Sequence, residues 1–193
     1  MITFEEAKKI VIENANATGI EQVALTEAPG RVLACDTAAD SDIPFRDNSA
    51  MDGFAVLAAD IATATEEKPA RLEVIETIPA GSVPRFAVSP GEAIRIMTGA
   101  IMPAGADTVV MVEDTVPDDE NGVLIKKAVS AGRNIRRAGE DVAAGSIVLR
   151  AGRRLQAADL GMLAACGHAR VDVARRPKVA IFSTGDEIIE PSH

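Results

Sequence analysis

Several residue types that support particular functions are scarce in or missing from this sequence. Its 193 residues include no tryptophan and no tyrosine, and aromatic residues make up only 3% of the chain. Proteins that bind single-stranded nucleic acid stack the bases on aromatic side chains, so this class of function is disfavoured. The hydrophobic core must instead be built from Val, Ile, Leu, Ala and Met.

Cysteine, long apolar runs and positive charge are also limited. Cys35 and Cys166 lie far apart without the spacing of a zinc site, which disfavours a disulfide scaffold and favours a reducing compartment. No apolar run approaches the roughly 20 residues of a membrane-spanning helix, and the charged N-terminus is unlike a signal peptide. The net charge of -9 disfavours binding to polyanions over the whole surface. We therefore predict a cytoplasmic protein that binds neither nucleic acid nor membrane.

Two segments have the residue spacing of amphipathic helices. Thr3 and Glu6 match a capping box at the start of a helix predicted over residues 3–17, which Gly19 would end. A second helix is predicted over residues 156–165 and is closed by Gly167.

Between residues 43 and 148 the pattern is mostly that of short β-strands. Pro and Gly interrupt it at intervals typical of a small barrel or sandwich-like module. Residues 59–69 are interpreted as a short helix or an exposed loop. The predicted strands of this region cover residues 53–58, 72–77, 93–97, 108–112 and 123–125, and those outside it cover 22–25, 31–33, 37–39 and 169–173.

A last strand is predicted over residues 178–183, where the run from Val179 to Phe182 is apolar. Such a run is typical of a strand buried on both faces of a parallel α/β sheet. A parallel sheet needs neighbouring strands reached by crossovers of a dozen or more residues, and the sequence ends before any could form. We therefore expect a fragment of a longer protein, or else a strand that pairs with another chain.

Four polar clusters are candidates for a functional site. Residues 44–53 place Asp52 in a loop before a strand, where ligand-binding groups often lie, although a simple turn also explains it. Residues 95–100 place Thr98 at the end of a strand. Its hydroxyl and the backbone amides that follow could hold an anionic oxygen, or this could be an ordinary corner.

The third cluster reverses the local sign of the charge. Residues 126–137 contain five basic residues and no acidic one, and they end in Arg136 and Arg137. Arginine side chains suit the oxygens of phosphate or molybdate. Glu140 and Asp141 follow closely, so a surface ion-pair network explains the same residues equally well.

The fourth cluster follows the predicted buried strand, at the position where open α/β sheets bind ligands. Ser183 and Thr184 can contact phosphate, and Asp186 and Glu187 are oxygen ligands suited to magnesium. A polar loop with a helix start is the alternative.

In this order and with these spacings, the clusters closely resemble the molybdopterin molybdenumtransferase family, which includes bacterial MoeA and the E domain of gephyrin. The matching segments are IPFRDNSAMDGFAV, IRIMTGAIMPAGADTVVMVED, GRNIRRAGEDV and VAIFSTGDE. The resemblance implies a magnesium-dependent, metal-binding transferase of molybdenum cofactor biosynthesis. It would insert molybdate into adenylated molybdopterin and release AMP. It also implies a homodimer with a MogA-like molybdopterin adenylyltransferase as pathway partner.

The resemblance further implies a multidomain fold of mixed α and β type. Residues 20–38 and 146–167 would form an elongated first domain for dimerisation, and residues 39–145 a β-rich, barrel-like second domain. The N-terminal helix, residues 1–19, would pack with a third domain. Residues 168–193 would contribute the first strand of that third domain, a truncated α/β (MogA-like) molybdopterin-binding domain. The fragment is expected to be inactive alone.

Site residues follow from the motif matches. Asp52, Asp141 and Glu187 are expected to be catalytic, ordering magnesium, water or polar groups of the pterin. Asp186 is expected to join Glu187 at the metal. Asp52, Thr98 and Asp141 should share one pocket, completed across two subunits. The alternative function is a non-catalytic dimerisation or docking module of the same scaffold. The expected substrate-binding residues are Thr98, Arg136, Arg137, Ser183 and Thr184.

Overall fold

The computed structural model describes residues 2–119, 121–185 and 187–189, and the chain divides into two compact units. The first unit is built from the residues up to 37, from 149–164 and from 168 onward, and the second from 38–148 and 165–167. The helices are α1 (Phe4–Asn14) and α2 (Ala157–Ala165). The strands are β1 (Ile20–Ala24), β2 (Thr37–Ala38), β3 (Asn48–Ser49), β4 (Gly53–Val56), β5 (Ala70–Ile78), β6 (Glu92–Ile96), β7 (Thr108–Met111), β8 (Thr115–Asp118), β9 (Gly122–Ile125), β10 (Ile135–Arg136), β11 (Ile147–Leu149) and β12 (Arg170–Ala174).

The first unit contains helix α1 and an antiparallel pair of strands, β1 and β12. The predicted capping box at the start of α1 is present: the Glu6 amide donates to Thr3 Oγ1 at 3.2 Å, and the Thr3 amide donates to the Glu6 carboxylate at 2.8 Å. Every residue of α1 is at least partly exposed. The unit's core is instead a cluster of aliphatic side chains from β12, α2 and the intervening loops. Its buried members are Ala28, Leu33, Leu149, Leu155, Leu163, Val171 and Val173.

The second unit is an open, six-stranded sheet that curls into a half-barrel, with the strand order β7-β4-β6-β5-β9-β8. All neighbouring strands are antiparallel except β5 and β6. The mixed α and β fold with a β-rich module is therefore confirmed. The assignment of individual segments to the domains of the family stays a prediction.

Both faces of this sheet are covered, because alternate residues of its central strands enter two different hydrophobic clusters. Phe54 and Val56 of β4 lie in one cluster, and Ala55 between them lies in the other. Val110 and Val109 of β7 repeat the alternation. The Phe54 cluster also contains Ile61, Ala64, Leu72, Ala93, Val123 and Ile125, and the Ala55 cluster contains Ile78, Val88, Ile94, Ile96 and Ala100.

A β-bulge interrupts the regular alternation of side chains in β5. Val74 pairs with Ala93 and Glu76 pairs with Ile94, so Ile75 between them has no partner in β6. The extra residue reverses the alternation. Leu72 and Val74 before the bulge pack in the Phe54 cluster, whereas Ile78, an even number of positions further along, lies in the Ala55 cluster.

Several strand predictions differ from the structure. Strand β8 was not predicted because it contains Pro117, which lacks an amide donor; β8 pairs only with β9 at the edge of the sheet, where proline is tolerated. The predicted strand at 31–33 forms only isolated bridges, from Val32 to Arg154 and from Leu33 to Val173. Residues 58–61 form a short 3-10 helix in the segment interpreted as a helix or loop.

The strand predicted over residues 178–183 is wrong for the described chain. This segment has no strand structure, and Val179 and Phe182 are 75% and 85% exposed. A segment forms a strand only where a neighbouring strand exchanges backbone hydrogen bonds with it. No described strand pairs with this segment. No helix within the described ranges is long and apolar enough to cross a membrane.

Candidate functional site

Asp52 and Thr98 are in direct contact in the second unit. One carboxylate oxygen of Asp52, Oδ1, accepts hydrogen bonds from the Thr98 amide at 2.7 Å and from its hydroxyl at 2.8 Å. The other carboxylate oxygen has no hydrogen-bond donor among the described residues. Both side chains lie at the exposed end of the sheet. The pair therefore presents one fixed, charged acceptor to solvent.

The backbone around this pair is tightly constrained by two glycines. Gly53 follows Asp52, and a Cβ atom built on it would lie 1.9 Å from the carbonyl oxygen of Val110 in the neighbouring strand. Gly99 follows Thr98 with a φ of 80°, in a turn closed by the Ala100 amide donating to Met97. Asp52 and Thr98 thus sit on two strand ends that cannot move apart freely.

Strand β3 joins three of the four motif segments. Ser49 donates its amide to the carbonyl of Ala100 at 2.9 Å, and its own carbonyl accepts from the Gly99 amide at 2.8 Å. On its other side β3 pairs with β10, and the Ala50 amide donates to the carbonyl of Asn134. The loop before Asp52 is therefore held between the Thr98 turn and the arginine segment.

The two arginines of the third cluster are paired with carboxylates. Arg136 donates to Glu140 at 2.8 Å and also to Asp141. Arg137 donates to Asp47. The interpretation as an ion-pair network thus describes the contacts seen, and Asp141 contacts Arg136 rather than the Asp52–Thr98 pair. Anion binding by these arginines would have to displace or share the carboxylates, and it stays a prediction.

Hydrogen bonds keep two of these carboxylates charged. The amide and then the hydroxyl of Thr98 lower the pKa of Asp52, and the positive charge of Arg95 adds a smaller effect in the same direction. The Ala138 amide and then the paired arginine lower the pKa of Asp47. Both groups are therefore acceptors, and neither is a proton donor at neutral pH.

Asp47 and Arg95 were not singled out from the sequence, although both lie in the quoted motifs. Asp47 ties the first motif to the third, since Arg137 lies 90 residues further along the chain. Nothing in the local sequence distinguishes it from an ordinary loop aspartate. The order of the motifs was the only signal that these segments meet.

The fourth cluster belongs to the first unit. Ser183, Thr184 and Glu187 lie there on exposed backbone without regular secondary structure. Asp186 lies outside the described residues. The roles expected for all four residues stay predictions.

A magnesium site needs several oxygen ligands held close together. Within the described ranges, no three His, Cys, Asp or Glu side chains come together as a group that could hold a metal ion. Asp52 offers one free carboxylate oxygen, whereas magnesium prefers octahedral coordination by oxygen. The described residues therefore do not form a magnesium site by themselves.

Comparison with known proteins places the chain in a family. Residues 2–167 match the model of the MoeA N-terminal region (domain I and II). A molybdopterin molybdenumtransferase of Nostoc sp. is 46% identical over 169 residues, which are 88% of this chain and 38% of the relative. Molybdopterin molybdenumtransferase 2 of Mycobacterium tuberculosis is 43% identical over 191 residues, 99% of this chain and 47% of the relative.

The fold comparison agrees with the sequence comparison. The crystal structure of a molybdopterin biosynthesis MoeA protein from Pyrococcus horikoshii OT3 matches with a TM-score of 0.90 at 41% identity, covering 100% of this chain and 51% of that one. The chain thus spans about half the length of this structure and less than half of the two curated relatives above. Because the family model matches most of its residues and these relatives are similar over nearly all of it, the chain belongs to the MoeA N-terminal region family.

Proposed function

We propose that this chain supplies part of the active site of a molybdopterin molybdenumtransferase. The longer protein would insert molybdate into adenylated molybdopterin and release AMP. The observation that carries the proposal is the Asp52–Thr98 pair, in which two family motifs distant in sequence form one exposed, charged acceptor. The names of the curated relatives support molybdenum transfer to molybdopterin, and the release of AMP is part of the proposal.

The proposed chemistry needs positioning and charge balance more than a nucleophile. Cleavage of a phosphoanhydride is promoted by groups that hold the reacting phosphate and neutralise its charge. Asp52 stays ionised because Thr98 donates two hydrogen bonds to it. Its free oxygen would accept a hydrogen bond from a pterin N–H or from an ordered water. Thr98 acts here as a positioning residue, since it fixes the direction of that oxygen.

The remaining expectations for the longer protein are part of the same proposal. They are dependence on magnesium, a homodimeric and cytoplasmic enzyme, and a MogA-like adenylyltransferase as pathway partner. Arg136 and Arg137 would bind substrate oxygens after their ion pairs with the neighbouring carboxylates break. Ser183, Thr184 and Glu187 are expected to bind substrate or metal in the longer protein. The chain of 193 residues is expected to be inactive alone.

The test uses the longer protein that includes this chain. Asp52→Asn keeps the shape of the side chain but removes its charge, and it should abolish molybdate-dependent release of AMP. Asp36→Asn is the matched control, because Asp36 also accepts a backbone amide, that of Ala151, at 2.8 Å and an arginine contact. Normal turnover of the Asp52 variant would refute the assigned role, provided that circular dichroism shows both variants folded.

A second candidate function is a non-catalytic dimerisation module. It is favoured by apolar side chains left exposed in the first unit, such as Phe4 and Val11 of α1, which are 76% and 69% exposed. Sedimentation of this chain would show a dimer if these side chains form an interface between copies. A monomer at all concentrations tested would remove this candidate.

A further inference from the structure

One face of the half-barrel carries a cavity of about 450 Å³, and its lining includes Phe54, two residues after Asp52. Part of the Phe54 cluster on this face is covered by residues 58–64, and the cavity lies over strands β5, β6 and β4. Its volume falls in the range of small-molecule sites, roughly 300–1,000 Å³. Its lining includes Phe54, Val74, Thr77, Arg95, Val112 and Pro117.

The lining of the cavity contains a cross-strand row in which a positive charge lies between two neutral residues. Arg95 of β6 pairs with Thr77 of β5 on one side and with Phe54 of β4 on the other. All three line the cavity, so an aromatic ring, a guanidinium and a hydroxyl face the same space. Most small-molecule sites combine an apolar wall with a few polar groups in this way.

Arg95 is the one positively charged side chain among the described lining residues. Among the described residues, none forms a hydrogen bond or an ion pair with its side chain. The two carboxylates of the lining are already held by other arginines: Glu76 by Arg85 at 2.8 Å, and Asp119 by Arg71 at 3.5 Å. The guanidinium of Arg95 is therefore available to an anionic ligand, in a chain whose net charge is -9.

The cavity is connected to the candidate site by short paths. The positive charge of Arg95 acts on the carboxylate of Asp52. The amide of Val112, which lines the cavity, donates to the backbone carbonyl of Asp52 at 3.0 Å. A ligand in the cavity would therefore lie next to the acceptor that the proposed function uses.

We propose that this cavity binds a phosphorylated heterocycle, with the ring against Phe54, Val74 and Val112 and the phosphate on the Arg95 guanidinium. The apolar wall and the one cation among the described lining residues fit a ring that carries one anionic group. The choice of a phosphorylated heterocycle among such ligands rests on the proposed function. Arg95 is thus a substrate-binding residue beyond the motif positions already named.

The experiment is an NMR titration of this chain with AMP, with adenosine and inorganic phosphate as partial ligands. AMP should shift the amide signals of Val74 and Val112 and the Nε–H signal of Arg95. It should also bind more tightly than either partial ligand. Arg95→Ala should weaken AMP binding by roughly tenfold or more, as expected for one charge-assisted contact, while leaving adenosine binding unchanged.

Two control variants separate the charge from its position. Arg150→Ala removes the same charge from an exposed ion pair away from the cavity lining, and it should leave AMP affinity unchanged. Arg95→Lys keeps the charge without the planar fork and should recover part of the affinity. The proposal is overturned if AMP shifts no cavity signal, if Arg95→Ala and Arg150→Ala bind AMP alike, or if phosphate binds as well as AMP. A failed AMP-release assay with intact AMP binding would count against the proposed reaction alone.

Discussion

Gly53 offers the sharpest test of how the candidate site is built, because an added methyl group would meet backbone rather than a side chain. In Gly53→Ala the new Cβ would lie 1.9 Å from the carbonyl oxygen of Val110, whereas ordinary contact begins at 3.4 Å. Strands β4 and β7 would have to separate by about 1.5 Å at this point. The carbonyl cannot rotate away, because β7 is paired with β4 along its whole length.

The cost follows from the two ways in which the strands can respond. Overpacking of a well-filled interior costs about 1–3 kcal/mol, and each ladder hydrogen bond that is lost adds about 1 kcal/mol. We therefore expect Gly53→Ala to lower the free energy of unfolding by about 2–4 kcal/mol. With a urea m-value of about 2 kcal/mol/M, the midpoint should fall by about 1–2 M.

The assay is urea denaturation followed by circular dichroism, with Gly161→Ala as the matched control. Gly161 lies in helix α2, and a Cβ added there would meet nothing within 4 Å. Alanine is favoured over glycine inside a helix, so this control should be neutral or stabilising by up to about 1 kcal/mol. If Gly53→Ala were as stable as the wild-type chain, the close approach of β4 and β7 would be refuted.

The Asp52–Thr98 pair, the core of the first unit and the arginine network give four further predictions. Thr98→Val removes the hydroxyl donor but keeps the amide, so the pKa of Asp52 should rise part of the way to its ordinary value in an NMR titration; an unchanged pKa would contradict the hydrogen bond. Since the folded pKa of Asp52 is lowered, its contribution to stability is complete above the ordinary value of 3.8 and is lost as pH falls through the folded value. In Asp52→Asn the urea midpoint should therefore fall less steeply below that pH than in the wild-type chain. The same fall in both proteins would contradict this prediction. Leu163→Ala, at a fully buried position, should cost about 2–5 kcal/mol in the same assay, and a loss below 1 kcal/mol would mean that the site is not packed as described. Arg136→Gln should barely move the midpoint because the pair is about 40% exposed, and a large shift would mean that the network stabilises the fold.

Much of the sheet could be predicted because its strands follow local rules. The segments around β5, β6 and β7 combine β-branched residues with flanking Pro and Gly, and these rules need no knowledge of the partner strand. The start of α1 was predicted for a similar reason, since a capping box needs only Thr3 and Glu6. Strand β8 escaped the same rules because they treat Pro117 as a break, whereas edge strands accept it.

The candidate site was less predictable, because its contacts join residues that are far apart in the chain. Asp52 and Thr98 are separated by 46 residues, and no local pattern pairs them. Only the resemblance to a family placed both in one site. The arginine cluster remained ambiguous for a different reason: Arg136 has carboxylates four and five residues away, and a local ion pair and an anion site share the same composition.

The apolar run from 179 to 182 shows a limit of composition. Hydrophobicity indicates that a segment would gain by burial, but it does not supply the surface that buries it. In the described chain Val179 and Phe182 are exposed. The apolar run therefore indicates that burial would be favourable, but it does not determine which structure the segment adopts.

The unpaired residue in β5 sets the local shape of this strand rather than the direction of the side chains that follow it. Ile75 could be exchanged for another side chain without altering which way its neighbours point. If it were deleted, Glu76 would follow Val74 directly, and the residues after the bulge would keep their present partners in β6. The strand would lose the bend and the extra twist that a bulge adds, so a shorter β5 should flatten the sheet while keeping every side chain on its present face.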